Sequence, residues 1–550
     1  MNKAKSFLSY YRQLLKPEGP YFIISIIYGV AVSLITLAIP ISVQALVNTI
    51  AFGVLIQPLV ILTILLLALL IISSFLKGLQ TYIIEIFQRH FFIRVSTDVA
   101  HNLMLSSKYD VTETYGVELV NRFFDIMTVQ KKSTTLITGG IALALQTVLG
   151  LILLAFYHPY FLIFDLILIV ILTGIWWGFG RLAMATAVEE SNKKYKLAAW
   201  LEEVARSNLL FKREKFRRAI YKKTDDSVFS YIQTRKRHFR LLFSQIVLLL
   251  IGYAILSALI LGLGGFLVIT GELSLGQLVA AELIVTAILA GIGSAGKYLE
   301  DFYDLYAALN KISYLYKFKP DENLGKPHVS FEDFNLKVKF NDTPVTFEKG
   351  KSYQILCPYY NWKSDLIDTL RGFDEKGRSK IQLGNISYED LCTFQLNDHI
   401  AVIQEPQVFG GTILENLTLG LDKISMDKVD AALELLDLKK VVYSLEDGID
   451  TVLNPNGFPL WDAQLLKLTI AREIIQGTEI IVMVDLFENF DRKLHHKMLD
   501  YLVDGDRTLI VLSSVVDEET RFNGHILADA DGIHICSDAS ELKKMWVKYE

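Results

Sequence analysis

Charge is missing from long tracts of this 550-residue chain. No Asp, Glu, Lys or Arg occurs between residues 21 and 76, although charged residues make up 21% of the whole. A soluble fold spreads charge over its surface, so the gap excludes an ordinary soluble domain there. Cysteine is scarce too. Cys357, Cys392 and Cys536 stand far apart, which excludes a disulfide framework and a paired-cysteine metal site; they read as unpaired thiols in reducing surroundings. There is no long basic tract, and the net charge of −5 excludes nucleic acid as a partner. A cleavable leader is also absent from the pattern, because the first charge-free region is too long and runs on into a second candidate span.

What the chain has in quantity is apolar sequence: 52% of residues are hydrophobic and the mean hydropathy is +0.35. The first charge-free region has room for two membrane helices, with a turn at AFGVLIQPL. A second pair runs over TTLITGGIALALQTVLGLILLAF and FLIFDLILIVILTGIWWGF, separated by YHPY. A third runs over LLFSQIVLLLIGYAILSALILGLGGFLVIT and the weaker LGQLVAAELIVTAILAGIGSA. Each is near or above the length needed to cross the hydrocarbon core, which gives six spans.

Loop charge sets the topology. Lys3, Lys5, Arg12 and Lys16 precede the first span, and the intervals 85–132 and 181–240 are long and highly charged, with RKRHFR just before the fifth span. The other turns carry almost no Lys or Arg. Both termini and both long loops therefore belong on the cytoplasmic side of a multi-pass protein of the lipid bilayer. The stretch VEESNKKYKLAAWLEEVARSNLLFKREKFRRAIYKK has few helix breakers and many helix formers, so the loops read as spanning helices continued into the cytoplasm, with a short turn at each far end. A surface-lying amphipathic helix is the alternative. Asp165 in the fourth span and Glu282 in the sixth are costly acids that face a cavity or partner, or else sit near an interface.

From about Pro320 the character changes. KPDENLGKPHVSFEDFN is a polar linker, and the remainder mixes helical runs with the strand-like EIIVMVDLF and RTLIVLSS. The expected fold is a membrane α-helical bundle of six spans over 1–315, a linker over 316–328 and a cytoplasmic α/β domain over 329–550.

AVIQEPQVFGGTILENLTLG resembles the glutamine-loop region of ATP-binding cassette (ABC) exporters. YGVELVNRFFDIMTVQ resembles their pattern between spans two and three, through Gly116, Asn121, Arg122 and Asp125. Over nearly its whole length the chain is similar to an ABC exporter half-transporter, whose nucleotide-binding domain uses ATP and Mg2+. The resemblance gives Gln404 the position that touches magnesium and senses the attacking water.

Elsewhere the family's motifs are altered. The expected G-x-x-x-x-G-K-[ST] cradles phosphates with backbone amides, its lysine reaching them and its hydroxyl holding magnesium. The chain has CPYYNWKS, which keeps Lys363 and Ser364 but has Cys357, Tyr360 and Trp362 for glycines. Asp365 follows and puts a carboxylate beside the anion site, where it would occupy the positive helix end. In IIVMVDLFENFD, counting back from Asp491 puts Val484 at the magnesium aspartate and Asp485 at the general base; shifted by one, Asp485 is the first acid and Leu486 the base. Neither register supplies both acids. The signature segment corresponds to WDAQ, with Trp461, Asp462 and Ala463 changed and Gln464 kept, and Ser514 stands for the switch histidine. No aromatic is assigned to the adenine position.

The resemblance thus implies a degenerate domain in which Lys363, Ser364, Gln404, Gln464 and Asp485 remain to meet ATP weakly or not at all, with Ser364 and Gln404 on the Mg2+ side. The chain is expected not to hydrolyse ATP by itself. Its partner would be a complete ABC half-transporter in a heterodimer, in the cell inner membrane; a nucleotide-independent membrane scaffold with other membrane partners and an atypical homodimeric transporter stay open. The first span begins near Tyr21, an expectation against the self-cleaving type of peptide exporter. Lipid, peptide and small-molecule cargo remain open.

Overall fold

A computed structural model of the chain describes residues 11–12, 14–52, 56–105, 123–315 and 331–549, the last range without 332, 341–342, 372–380, 388–389, 391–392, 422–423, 487–489, 519, 521 and 530–531. The chain divides into two compact units, with the sequence boundary between Lys319 and Pro320.

The first unit is helical: α1 (Gly19–Thr36), α2 (Ala38–Phe52), α3 (Ile56–Leu105), α4 (Phe124–Thr135), α5 (Ile141–Tyr157), α6 (Phe161–Arg206), α7 (Glu214–Ile269) and α8 (Leu275–Leu315). A π turn, Leu136–Gly140, joins α4 to α5. Between α1 and α2 the helix breaks at Leu37, a division that the sequence reading lacks. Its cause is Pro40, whose ring crowds the carbonyl four residues earlier and which has no N–H to donate. α3, α6 and α7 have 50, 46 and 56 residues, or about 70–85 Å at 1.5 Å per residue, more than twice the hydrocarbon thickness. The charged interval 181–240 is therefore a continuation of α6 and α7 around the one-turn helix Asn208–Phe211. It is no separate surface helix.

Among the described residues, five helical stretches are long and apolar enough to cross a membrane: Lys16–Thr49, Leu59–Met104, Phe124–Tyr157, Phe161–Arg206 and Glu214–Ile269. The expected sixth falls in α8, whose apolar stretch among the described residues, Leu275–Ile288, is shorter. Phe75, Phe156 and Trp177 are 67%, 82% and 87% exposed, an outward apolar face that suits lipid and not water.

Charged pairs tie the polar ends of these helices together. Arg94 grips the buried carboxylate of Glu18 with two nitrogens, at 2.7 and 2.9 Å, and donates to Leu14 O at 2.6 Å. Lys132 on α4 meets Asp301 at 2.5 Å and Asp304 at 3.0 Å on α8. Asp125 is buried and accepts a hydrogen bond from Tyr195 Oη at 2.6 Å; Gly116, Asn121 and Arg122 lie outside the described residues. Of the two acids in candidate spans, Glu282 is exposed. Asp165 is buried on the stripe of Phe161, Phe164 and Leu168, and its Oδ1 has no hydrogen-bond partner among the described residues.

The second unit is α/β. Its strands are β1 (Leu336–Phe340), β2 (Thr343–Phe347), β3 (Ser352–Leu356), β4 (Ile381–Leu383), β5 (Ile386–Ser387), β6 (Ile400–Ile403), β7 (Gly411–Thr412), β8 (Val452–Leu453), β9 (Ile480–Val484), β10 (Thr508–Ser513), β11 (Gly524–Asp529) and β12 (Gly532–Cys536). Its helices include α9 (Tyr360–Leu370), α10 (Thr393–His399), α11 (Ile413–Thr418), α12 (Met426–Leu435), α13 (Asp462–Gln476), α14 (Arg492–Asp504) and α15 (Ala539–Trp546). The main sheet has the order β12-β11-β3-β10-β9-β6, parallel except for the β11–β12 pair, and an antiparallel sheet has the order β2-β1-β4-β5. β3, β9 and β10 are buried at every residue, as a parallel sheet covered on both faces requires. Alternate residues serve the two cores: Ile480, Val482 and Val484 pack with Leu366 and Leu370 of α9, while Ile481 and Met483 pack with Leu468 of α13 and Met498 of α14.

His495 on α14 is buried, and that burial pushes its imidazole down to about 4 despite Asp517 at 3.7 Å. A histidine held neutral in the fold but titrating near 6.5 when unfolded takes up protons on unfolding, so stability falls as pH drops from about 6.5 to about 4. Thermal melting of the full chain in detergent is expected to give a lower Tm at pH 5 than at pH 7.5, with a shallower dependence in His495→Gln.

Candidate functional site

Register decides which residues meet. Leu356 on β3 pairs with Ser513 on β10, Leu512 with Val484 on β9, and Met483 with Ile403 on β6. The residues that follow, Cys357, Ser514, Asp485 and Gln404, therefore stand side by side at the carboxyl ends of parallel strands. That edge is where α/β sheets hold ligands.

The stretch after β3 departs from a phosphate cradle in its backbone. α9 opens at Tyr360 and leaves only Cys357, Pro358 and Tyr359 between strand and helix. The Lys363 N–H is taken by Tyr359 O at 3.3 Å, inside the first helical turn. A cradle needs successive amides turned toward one centre, whereas a helical turn aligns them along its axis. The side chains of Tyr360 and Trp362 lie outside what is described. Asp365 does not occupy the positive helix end expected for it: α9 starts early enough that its first turn holds no acid, and Asp365 is exposed one turn further on. Tyr359 packs edge-on against Tyr549, with ring centroids 6.0 Å apart.

Lys363 Nζ donates to Asp485 Oδ2, and Ser514 Oγ donates to Asp485 Oδ1 at 3.1 Å. The lysine side chain is 10% exposed and the carboxylate 45%, so the pair is reached by water from the acid's side. Asp485 has φ +51 and its N–H donates to Leu512 O at 2.8 Å. Aspartate is among the residues that accept this left-handed conformation. Val484 and Leu486 on either side are buried in opposite cores, so in either register only Asp485 reaches the edge. Cys357 is buried, and burial pushes its thiol up to about 12, with the Lys363 ammonium opposing and Asp485 adding to the shift. It is therefore a neutral neighbour of the pair.

The other expected residues stand apart from this cluster. Ser364 is half-buried and Gln404 exposed, and among the described residues neither makes a side-chain hydrogen bond to Lys363 or Asp485. Gln464 serves its own helix: its Oε1 accepts the Trp461 N–H at 2.9 Å and caps α13. Trp461 is 78% exposed beside exposed Asp462 and Ala463. Asp491 caps α14 by accepting the Leu494 N–H at 2.9 Å.

Magnesium takes a near-octahedral shell of oxygens. The edge offers one carboxylate with both oxygens engaged, and among the described residues no group of three or more His, Cys, Asp or Glu side chains converges. The residues present do not fit that ion. Glu488 lies outside the described residues.

Two things escaped sequence reasoning. The Lys363–Asp485 pair spans 122 positions, and only the strand order brings its members together. Ser514, read as a missing histidine, is a hydroxyl donor to Asp485. Removing one partner should have unequal effects. Asp485→Asn leaves a buried ammonium unpaired and should cost on the order of 2 kcal/mol. Lys363→Met leaves a hydrated carboxylate and should cost under about 1 kcal/mol. Thermal melting of both variants in the full chain checks the order.

No protein-family model matches the chain. It is 26% identical over 266 residues to the uncharacterized ABC transporter ATP-binding protein YwjA of Bacillus subtilis, covering 45% of this chain and 46% of that protein. It is 22% identical over 309 residues to the transport/processing ATP-binding protein ComA of Streptococcus pneumoniae, covering 53% and 43%. With the lactococcin-G-processing and transport ATP-binding protein LagD of Lactococcus lactis it shares 25% over 274 residues, covering 47% and 39%. The chain thus spans less than half the length of these curated relatives. A solved structure of a bacterial Atm1-family ABC exporter with ATP bound superposes with a TM-score of 0.77 at 15% identity, covering 97% of this chain and 98% of that one.

Proposed function

The exporter fold shared with that solved structure is the premise here, and we propose that the chain is a catalytically impaired subunit of an ABC-type exporter. It acts with an ATPase-competent partner to move an unidentified substrate across the membrane. The observation that carries this reading is the mutual neutralisation of Lys363 and Asp485. The lysine meant for phosphate and the acid that follows β9 are spent on each other. A general base needs a free oxygen for the water it activates, and both oxygens of Asp485 already accept bonds, from the Lys363 ammonium and the Ser514 hydroxyl.

In this reading residues 1–315 form six spans with long cytoplasmic extensions, α8 supplying the sixth. Residues 316–328 form the linker and 329–550 a degenerate nucleotide-binding domain, with both termini cytoplasmic and the protein in the cell inner membrane. Lys363, Ser364, Gln404, Gln464 and Asp485 stand at the positions the family uses for ATP, Ser364 and Gln404 at those on the Mg2+ side, but Gln464 is turned to its own helix and the set does not hold the ion. Transport is taken from the names of the relatives. Exposed Trp461 and Phe458 (70%) at the start of α13 supply an apolar contact for a second cassette, since aromatic anchors are favoured at interfaces. A nucleotide-independent scaffold is the second reading, favoured by the pairing of Lys363 with Asp485 inside the chain; a homodimer is the third.

Purification from native membranes, with mass spectrometry of what accompanies the chain, tests the first reading. A stoichiometric partner carrying an intact glycine-rich loop, paired acids and a switch histidine is expected. A homodimer alone, or unrelated membrane proteins, would overturn it.

A further inference from the structure

We infer that Asp485 is the specificity determinant of this strand edge, an internal carboxylate that takes the place of an oxyanion on Lys363 and closes the site to phosphate groups. The inference rests on reading that edge as the counterpart of a nucleotide site.

The donor set is the one a phosphate or sulfate oxygen would use: the Lys363 ammonium on one oxygen and the Ser514 hydroxyl on the other. Charge-assisted bonds of this kind are the strong ones. The carboxylate is aimed by its backbone, because the bond from its N–H to Leu512 O fixes Asp485 against β10 in the left-handed conformation. An internal ligand also has no translational freedom to lose, which an incoming anion must give up. An arriving phosphate meets like charge at the half-exposed acid before it meets the buried lysine. Neutral Cys357 adds no charge of its own. Taking the carboxylate away leaves a buried cation beside a hydroxyl donor, and a site of that composition recruits an external oxyanion.

The test uses the full chain in detergent, with binding of MgATP and of inorganic phosphate each followed by calorimetry and by thermal shift. The wild type is expected to bind neither detectably. Asp485→Asn should bind at least about tenfold tighter, a change of about 1.4 kcal/mol or more, and should regain on adding ligand the Tm it lost. Asp485→Gly is the second variant, since glycine takes a φ of +51 without strain and the fold is preserved. Asp485→Glu keeps the charge and should gain nothing. Binding of phosphate itself by the neutral variants assigns recognition to the oxyanion; binding of MgATP without phosphate adds contacts to the nucleoside, and both support the inference. Wild-type binding as tight as that of the variants overturns it, as does failure of both Asp485→Asn and Asp485→Gly to gain binding, or an equal gain in Asp485→Glu. Recovery of partners from membranes bears on the exporter subunit alone and leaves these outcomes unchanged.

Discussion

Parallel pairing of β3, β10, β9 and β6 brings four residues from distant parts of the chain to one edge, and everything distinctive about the second unit follows from that alignment. The strands are buried on both faces, so their register is fixed by two cores at once; a slip of one residue would exchange the sets that serve α9 and α13. Cys357 still packs in one of the two cores, while Ser514, Asp485 and Gln404 are the first residues free of that constraint. Their chemistry was therefore open to change while the frame was held.

This division explains why some motifs persist. GGTILENL keeps its form because it builds structure: Thr412 and Glu415 cap α11 reciprocally, at 3.0 and 2.7 Å, and the Asn416 amide holds Phe409 and Thr412. Gln464 and Asp491 likewise have local work as helix caps. Cys357, Trp362 and Ser514 differ from the exporter pattern at positions whose task there lies with a ligand, although Lys363, Ser364 and Gln404 keep theirs.

Much of the fold was legible in the sequence because hydrophobic patterning is a local property. The charge gap between residues 21 and 76, the helix-rich interval 181–240 and the strand EIIVMVDLF each point to the element found there. The break at Leu37 was missed because an apolar run masks the effect of Pro40, and the shorter apolar stretch of α8 leaves five stretches among the described residues that satisfy length and hydropathy. The candidate site was legible as a set of altered positions. Its geometry was not, because the contact between Lys363 and Asp485 depends on strand order, and the early start of α9 depends on how the CPYYNW backbone settles once glycine is absent.

The unbroken courses of α6 and α7 have a mechanical meaning. A rod of about 70 Å that tilts by about 3° at one end moves its other end by roughly 4 Å. Paired antiparallel and bolted by Arg235 to Glu190 at 2.7 Å, the two helices are stiffer together than singly. A disturbance among the apolar residues near Phe161 would thus arrive at Arg206 as a displacement of side-chain size, with no hinge along the way to absorb it.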